Sequence, residues 1–271
     1  MPLHFTDKKT HWPPSKPVQY ILAFSLLLVA ILVLGGWLYF RFVYIESNEP
    51  NTNPNSATAD VQELPHSSYS LVIVEDANYE RFALVKASPK DDSITVTPIS
   101  PMMNTNEGEL RNLLKKHGAA HTAKIVAESL NIPEIHYVSF SITDVETFFT
   151  RLGINLTFDV PENVSYQDEN GATIRLAAET HRLTPNQIVS LLRYTQWENL
   201  DNEVTLAADI TAAVMNQCLL PNKSLKGYFE LLSNTATTDL RIDQFNAYLL
   251  GLEHLVSLND GDLVHRTETI T

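Results

Sequence analysis

The sequence predicts an α/β domain behind a membrane anchor, and three observations carry that prediction. From residue 69 onward, strand-like and helix-like segments alternate. Ahead of them lies an uncharged run of 24 residues, Pro17–Phe40, and between the two a polar stretch without apolar period. Strands and helices in that order imply a central mixed sheet flanked by helices on both faces.

A helix over the uncharged run is roughly 36 Å long, against a hydrocarbon core of about 30 Å. Tyr20 near its start and Trp37, Tyr39 and Phe40 near its end suit the two headgroup levels. The run is longer than the apolar core of a signal peptide, and no small-x-small cleavage site follows it. Lys8, Lys9 and Lys16 precede it and Glu46 and Glu49 follow it, so residues 1–16 are expected in the cytoplasm. The expected order is then a membrane helix over 17–44, a polar linker over 45–68 and an extracytoplasmic domain over 69–271. The linker is rich in Asn, Pro, Ser and Glu and spaces the domain off a single-pass anchor in the cell membrane.

Within the domain, Tyr69–Val74, Phe82–Ala87 and Ser93–Ile99 read as strands, with a turn at Lys90-Asp91-Asp92. Helices follow at Glu109–Lys116 and Thr122–Leu130, broken near Gly118, and then a short strand at His136–Phe140. Thr143 and Glu146 have capping-box spacing, and Gly153 stops the helix that follows. Leu156–Val160 and Thr173–Leu176 read as strands around a polar Asp168-Glu169-Asn170-Gly171 turn. Thr184-Pro185 opens the next helix, with Ile188, Leu191 and Leu192 inward. Apolar periodicity marks two more helices, Val204–Leu219 and one starting near Asp243.

Composition narrows the function. The 271 residues carry a net charge of −13, and residues 42–271 alone carry −16, which argues against a nucleic-acid partner and against attraction to anionic lipid. A single cysteine excludes a disulfide framework and a cysteine-based zinc site, and suits a bacterial surface protein. Cys218 falls in an apolar helix and reads as an ordinary core thiol. His117 and His121 have the spacing of two metal ligands on one helix face, but Gly118 between them marks a helix break. No Gly-x-Ser-x-Gly, phosphate-binding glycine loop or His-Glu-x-x-His occurs.

Several segments taken together are more specific. Leu130-Asn-Ile-Pro133, Tyr137-Val-Ser-Phe140, Phe158-Asp-Val-Pro161 and His181-Arg-Leu-Thr-Pro-Asn-Gln187 follow one another in order and spacing, with Thr238–Phe245 further on. This series resembles the LytR–CpsA–Psr family of cell-envelope proteins, over most of residues 69–256. The resemblance implies a phosphotransferase that moves a glycopolymer from a polyprenyl-pyrophosphate lipid to peptidoglycan or another wall acceptor. Such a site needs arginine forks for the pyrophosphate, a carboxylate-bound Mg²⁺, and an apolar groove for the lipid tail.

Carried over residue by residue, the family's metal-binding acids fall on Asp76 and Glu80, and one phosphate-binding arginine falls on Arg193. The arginine of an "R-S-D-T" motif falls on Asn78, a "P-R-D" segment on Ser100-Pro101-Met102, and a second helix-end arginine on Thr195. Further arginines fall near Asn202 and Thr205. Two readings of Arg193 stand, a phosphate ligand and a solvated helix-end cation. For Asp76 and Glu80 the alternative is a polar loop after a strand. Removing one charge-stabilising donor typically lowers a rate by about 10²–10³. The expectation is therefore a degenerate site that binds a lipid-linked glycan or a partner in wall assembly. The alternatives are an active phosphotransferase that recruits Arg81, Arg111 or Arg175, and a structural surface domain without ligand.

Overall fold

The structure, a computed structural model, describes residues 67–271 apart from 78, 168–170, 172, 222 and 261. The expected membrane helix over 17–44 and nearly all of the expected linker lie outside the described residues, as does most of the Asp168–Gly171 turn. Among the described residues no helix is long and apolar enough to cross a membrane.

Alternating apolar residues start the fold as a meander of β1 (Ser68–Asp76), β2 (Tyr79–Ser88) and β3 (Ser93–Ile99), paired antiparallel in sequence order. Only Ala77 and Asn78 separate β1 from β2, and Asp76 therefore pairs with Tyr79. The expected turn before β3 is a 3₁₀ turn at Pro89–Asp91, after which Asp92 takes a left-handed backbone at φ 52°. A small hairpin, β4 (Asn104–Thr105) with β5 (Gly108–Glu109), leads into α1 (Leu110–Leu130). The expected break is present inside α1: Gly118 has φ 78° and ψ 177°, far from helical values.

β6 (His136–Ser141) runs parallel to β1, and α2 (Ile142–Leu152) follows without a loop. The capping box is formed by Ser141 and Asp144, not by Thr143 and Glu146. The Asp144 backbone N–H donates to Ser141 Oγ (3.2 Å), and the Ser141 N–H donates to Asp144 Oδ2 (3.0 Å). The last strand residue doubles as the cap, so the helix begins before the expected box. Gly153 ends it in the left-handed region, as expected.

Two satellite ribbons follow. β7 (Leu156–Asp159) pairs with β10 (Thr180–Leu183), and between them β8 (Val164–Gln167) pairs with β9 (Thr173–Leu176). α3 (Pro185–Arg193) has the expected proline at its start and a capping box of Thr184 with Gln187. α4 (Leu200–Cys218), α5 (Leu225–Thr235), β11 (Thr237–Thr238), α6 (Ile242–Leu258) and β12 (Val264–Arg266) complete the chain. β11 joins the outer edge of β6, and β12 lies parallel to β3. The central sheet thus has the order β11-β6-β1-β2-β3-β12.

The sheet is mixed and covered on both faces, as the sequence predicts. Leu71, Ile73, Phe82 and Ile99 point to one face and meet Leu110, Leu114 and Val126 of α1. Ala83, Ala87, Ile94 and Val96 point to the other and meet Ala208 of α4 and Leu255 of α6. Val74, Val138 and Phe140, on that second face, join a larger cluster with α2, α3 and both ribbons.

Candidate functional site

The two faces of the β1–β2 hairpin carry side chains of different size. In β1, Tyr69, Leu71 and Ile73 face α1, while Ser68, Ser70, Val72 and Val74 face the opposite layer. β2 repeats the pattern, with Phe82 and Leu84 toward α1 and Ala83, Val85 and Ala87 away from it. On the α1 face these side chains pack against Leu110, Leu114 and Val126. On the other face, helices α2, α4, α5 and α6 rest on small residues and leave a cavity of about 320 Å³. Phe148, Val214, Phe229 and Leu252 are among its walls, and no Asp, Glu, Lys or Arg lines it. Its volume and apolar walls fall within the range of small-molecule sites.

Just beyond the cavity, at the C-terminal end of β1, lies a polar cluster. Val74 and Leu192 line the cavity, and Asp76 and Arg193 sit directly past them. Arg193 Nε donates to Asp76 Oδ2 at 3.1 Å, and the Ala77 N–H donates to Asp76 Oδ1 at 2.7 Å. This brings together residues 117 positions apart. Tyr79 faces the same way across the turn. Its hydroxyl is buried and has no hydrogen-bond partner among the described residues. Burial, and after it the Asp76 carboxylate, push the Tyr79 phenol far up, so it stays a neutral group.

Arg81 shares this face but is otherwise engaged. It is 3% exposed, and its Nε and Nη2 donate to the carbonyls of Leu192 (3.1 Å) and Tyr194 (3.0 Å). Its Nη1 donates to the carbonyl of Glu203. Three of its five N–H donors thus tie the α3–α4 connection to β2. Tyr194 O also accepts from Trp197 Nε1 at 2.8 Å, which closes the knot. Arg111 sits on α1 across the sheet with its Nε 4.0 Å from Glu109, and Arg175 is exposed on β9. Of the four arginines that could gather around Asp76, Arg193 alone reaches its carboxylate.

The expected pairing of Asp76 with Glu80 around a metal is not formed. The two-residue turn sets Glu80 opposite Glu75 and Asp76 opposite Tyr79, and neighbouring positions of a strand point to opposite faces. Glu80 is buried on the α1 side, where Lys115 Nζ lies 2.7 Å from its carboxylate. The residues around Asp76 do not fit Mg²⁺, which takes oxygen ligands. Here one carboxylate is already paired with a guanidinium, next to a second buried guanidinium. Among the described residues no group of three or more His, Cys, Asp and Glu side chains could hold a metal. The His117 and His121 rings are 4.7 Å apart, with His121 Nε2 2.8 Å from Glu107 Oε2. Cys218 is buried in the cavity wall.

Sequence reasoning missed Tyr79, the carbonyl knot around Arg81 and His136 in the cavity wall. The alternation of small and large residues along β1 and β2 was the signal that could have located the cavity.

Comparison with protein-family models finds no match, and comparison with curated proteins finds none either. Solved structures do match. A putative transcription regulator from Eubacterium siraeum superposes with a TM-score of 0.66 at 15% identity, covering 81% of this chain and 90% of that one. TagV of B. subtilis gives 0.59 at 13% identity, covering 75% and 84%. TagT of B. subtilis, in a structure bound to LIIa-WTA, gives 0.54 at 16% identity, covering 77% and 82%. The chain has a LytR–CpsA–Psr-like fold.

Proposed function

We propose that this chain is a membrane-anchored, extracytoplasmic LytR–CpsA–Psr-like protein of the bacterial cell envelope. It shelters the apolar chain of a polyprenyl-pyrophosphate-linked wall glycan without transferring the glycan efficiently. The observation that carries this reading is the pairing of an uncharged cavity with an arginine-poor polar end. The cavity offers a hydrocarbon chain a dry, preformed surface, which strengthens binding because little has to be ordered. Phosphoryl transfer asks for more. Negative charge develops on the leaving diphosphate and must be met by several fixed cations. Arg193 is balanced by Asp76, and Arg81 is held by carbonyls, so the field at this end is weak. The TagT structure bound to LIIa-WTA supports the ligand class.

The test uses the full chain in nanodiscs with a photoactivatable polyprenyl-pyrophosphate glycan and Mg²⁺. Saturable crosslinking to residues of α2, α4 and α5, with no release of phosphate, is the expected outcome. Absence of crosslinking refutes the lipid reading. Phosphate release that disappears in Arg193→Ala refutes the degenerate site and establishes an active transferase.

A further inference from the structure

The cavity is apolar along its length but not at the end away from Asp76. There β1 begins with Ser68 and Ser70, and Ser70 pairs with His136, the first residue of β6. His136 has the strand parity of Val138 and Phe140, so its ring joins the cavity wall and is only 5% exposed. Tyr248 of α6 meets it edge-on, with ring centroids 6.0 Å apart. Neither ring nitrogen has a hydrogen-bond partner among the described residues. The nearest charged atoms are Asp239 Oδ1, 3.6 Å from Nδ1, and Glu134 Oε1, 3.9 Å from Nε2. Both lie beyond hydrogen-bond length, and Asp239 Oδ1 already accepts from the Tyr137 N–H at 2.9 Å.

A buried imidazole whose two nitrogens make no hydrogen bond is costly, and native proteins rarely tolerate one without a reason. A hydrocarbon reaching this end would leave both nitrogens unsatisfied. An anionic group would meet the carboxylates of Asp239 and Glu134. A neutral group that both donates and accepts fits the ring and its flanking acids. From the geometry we infer that this end of the cavity is a subsite for a hydroxyl carried on an apolar chain, with His136 as its hydrogen-bond partner. The subsite sets which chain is preferred. It rests on the proposal that the cavity takes an apolar chain, but not on the pyrophosphate.

The test is displacement of a fluorescent apolar reporter from the full chain in nanodiscs by four probes of equal length: hexadecane, hexadecanol, hexadecanoate and hexadecylamine. Hexadecanol should displace the reporter about tenfold more effectively than the other three, the contribution of one satisfied buried polar group. His136→Phe should abolish that preference, and His136→Gln, which keeps a donor and an acceptor, should retain most of it. Equal displacement by all four probes, or preference for the acid or the amine, overturns the subsite and leaves the apolar-chain reading standing. Failure of every probe to displace the reporter, or of the reporter to bind, overturns both. Should the variants not fold, the four-probe series on the native chain still decides.

Discussion

Arg81 is where structure and chemistry are most easily confused, because a buried arginine beside Asp76 invites a catalytic role. Its geometry assigns it to the fold. Charge-assisted hydrogen bonds contribute about 1.5–3 kcal/mol each. The three to Leu192, Tyr194 and Glu203 are lost together in Arg81→Met. They are not additive, since removing the guanidinium also removes its own desolvation, which pulls its pKa down. A net loss of about 3–5 kcal/mol follows, by analogy with breaking a buried ionic contact from one side. In a domain of this size that is a fall of roughly 10 °C in Tm. Arg81→Lys keeps the charge but not the fork, and should recover less than half of the loss. Urea unfolding followed by tryptophan fluorescence is a direct assay, since Trp197 hydrogen-bonds the same Tyr194 carbonyl and is the only tryptophan beyond Trp37. If Arg81→Met unfolds within about 1 kcal/mol of the native chain yet loses lipid crosslinking, the structural assignment is wrong and Arg81 is a ligand group.

Three further outcomes are expected. Ala87→Leu adds three carbons to the cavity wall and should stabilise the ligand-free chain by about 1–2 kcal/mol while suppressing lipid crosslinking; a fall in Tm would mean the space is not there. A double-mutant cycle on Asp76→Asn and Arg193→Ala should give a coupling of about 0.5–1 kcal/mol, because their side chains are 24% and 25% exposed; a value above about 3 kcal/mol would contradict a solvent-screened pair. Asp209 is raised above its ordinary 3.8 by burial, which its Thr205 hydrogen bond and Arg266 only partly offset. The folded state holds that proton more tightly, so this group lowers stability as pH rises from its ordinary value through the raised one. The stability of Asp209→Asn relative to the native chain should therefore increase as the pH rises above about 4, and a flat or falling difference in urea titrations would refute the assignment.

The longer strands and most helix boundaries were legible because each is written in local chemistry, whereas α5 and the short strands β4, β5, β8, β10, β11 and β12 were not read. The β1–β2–β3 meander shows as runs of β-formers, the break in α1 as Gly118, and the end of α2 as Gly153. The misplaced capping box has an equally local cause: Ser141-x-x-Asp144 and Thr143-x-x-Glu146 overlap, and the end of β6 decides between them. Glu80 went to the wrong site because a family correspondence was carried across a shortened turn. Counting that turn as two residues places Glu80 on the other face of the sheet. His136 was read only as part of a strand, since nothing near it in the chain shows that Tyr248 and Asp239 close around it.

Periodicity, composition and charge are properties of neighbours along the chain, and they were enough for the class of fold, the acidic character of residues 42–271 and the expectation of one uncharged anchoring run. The pairing of Arg193 with Asp76, the three carbonyls around Arg81 and the cavity that the small side chains of one sheet face leave beside His136 appear only in the folded chain. Those facts depend on which distant residues share a face and how much volume lies between layers, and no local pattern records either.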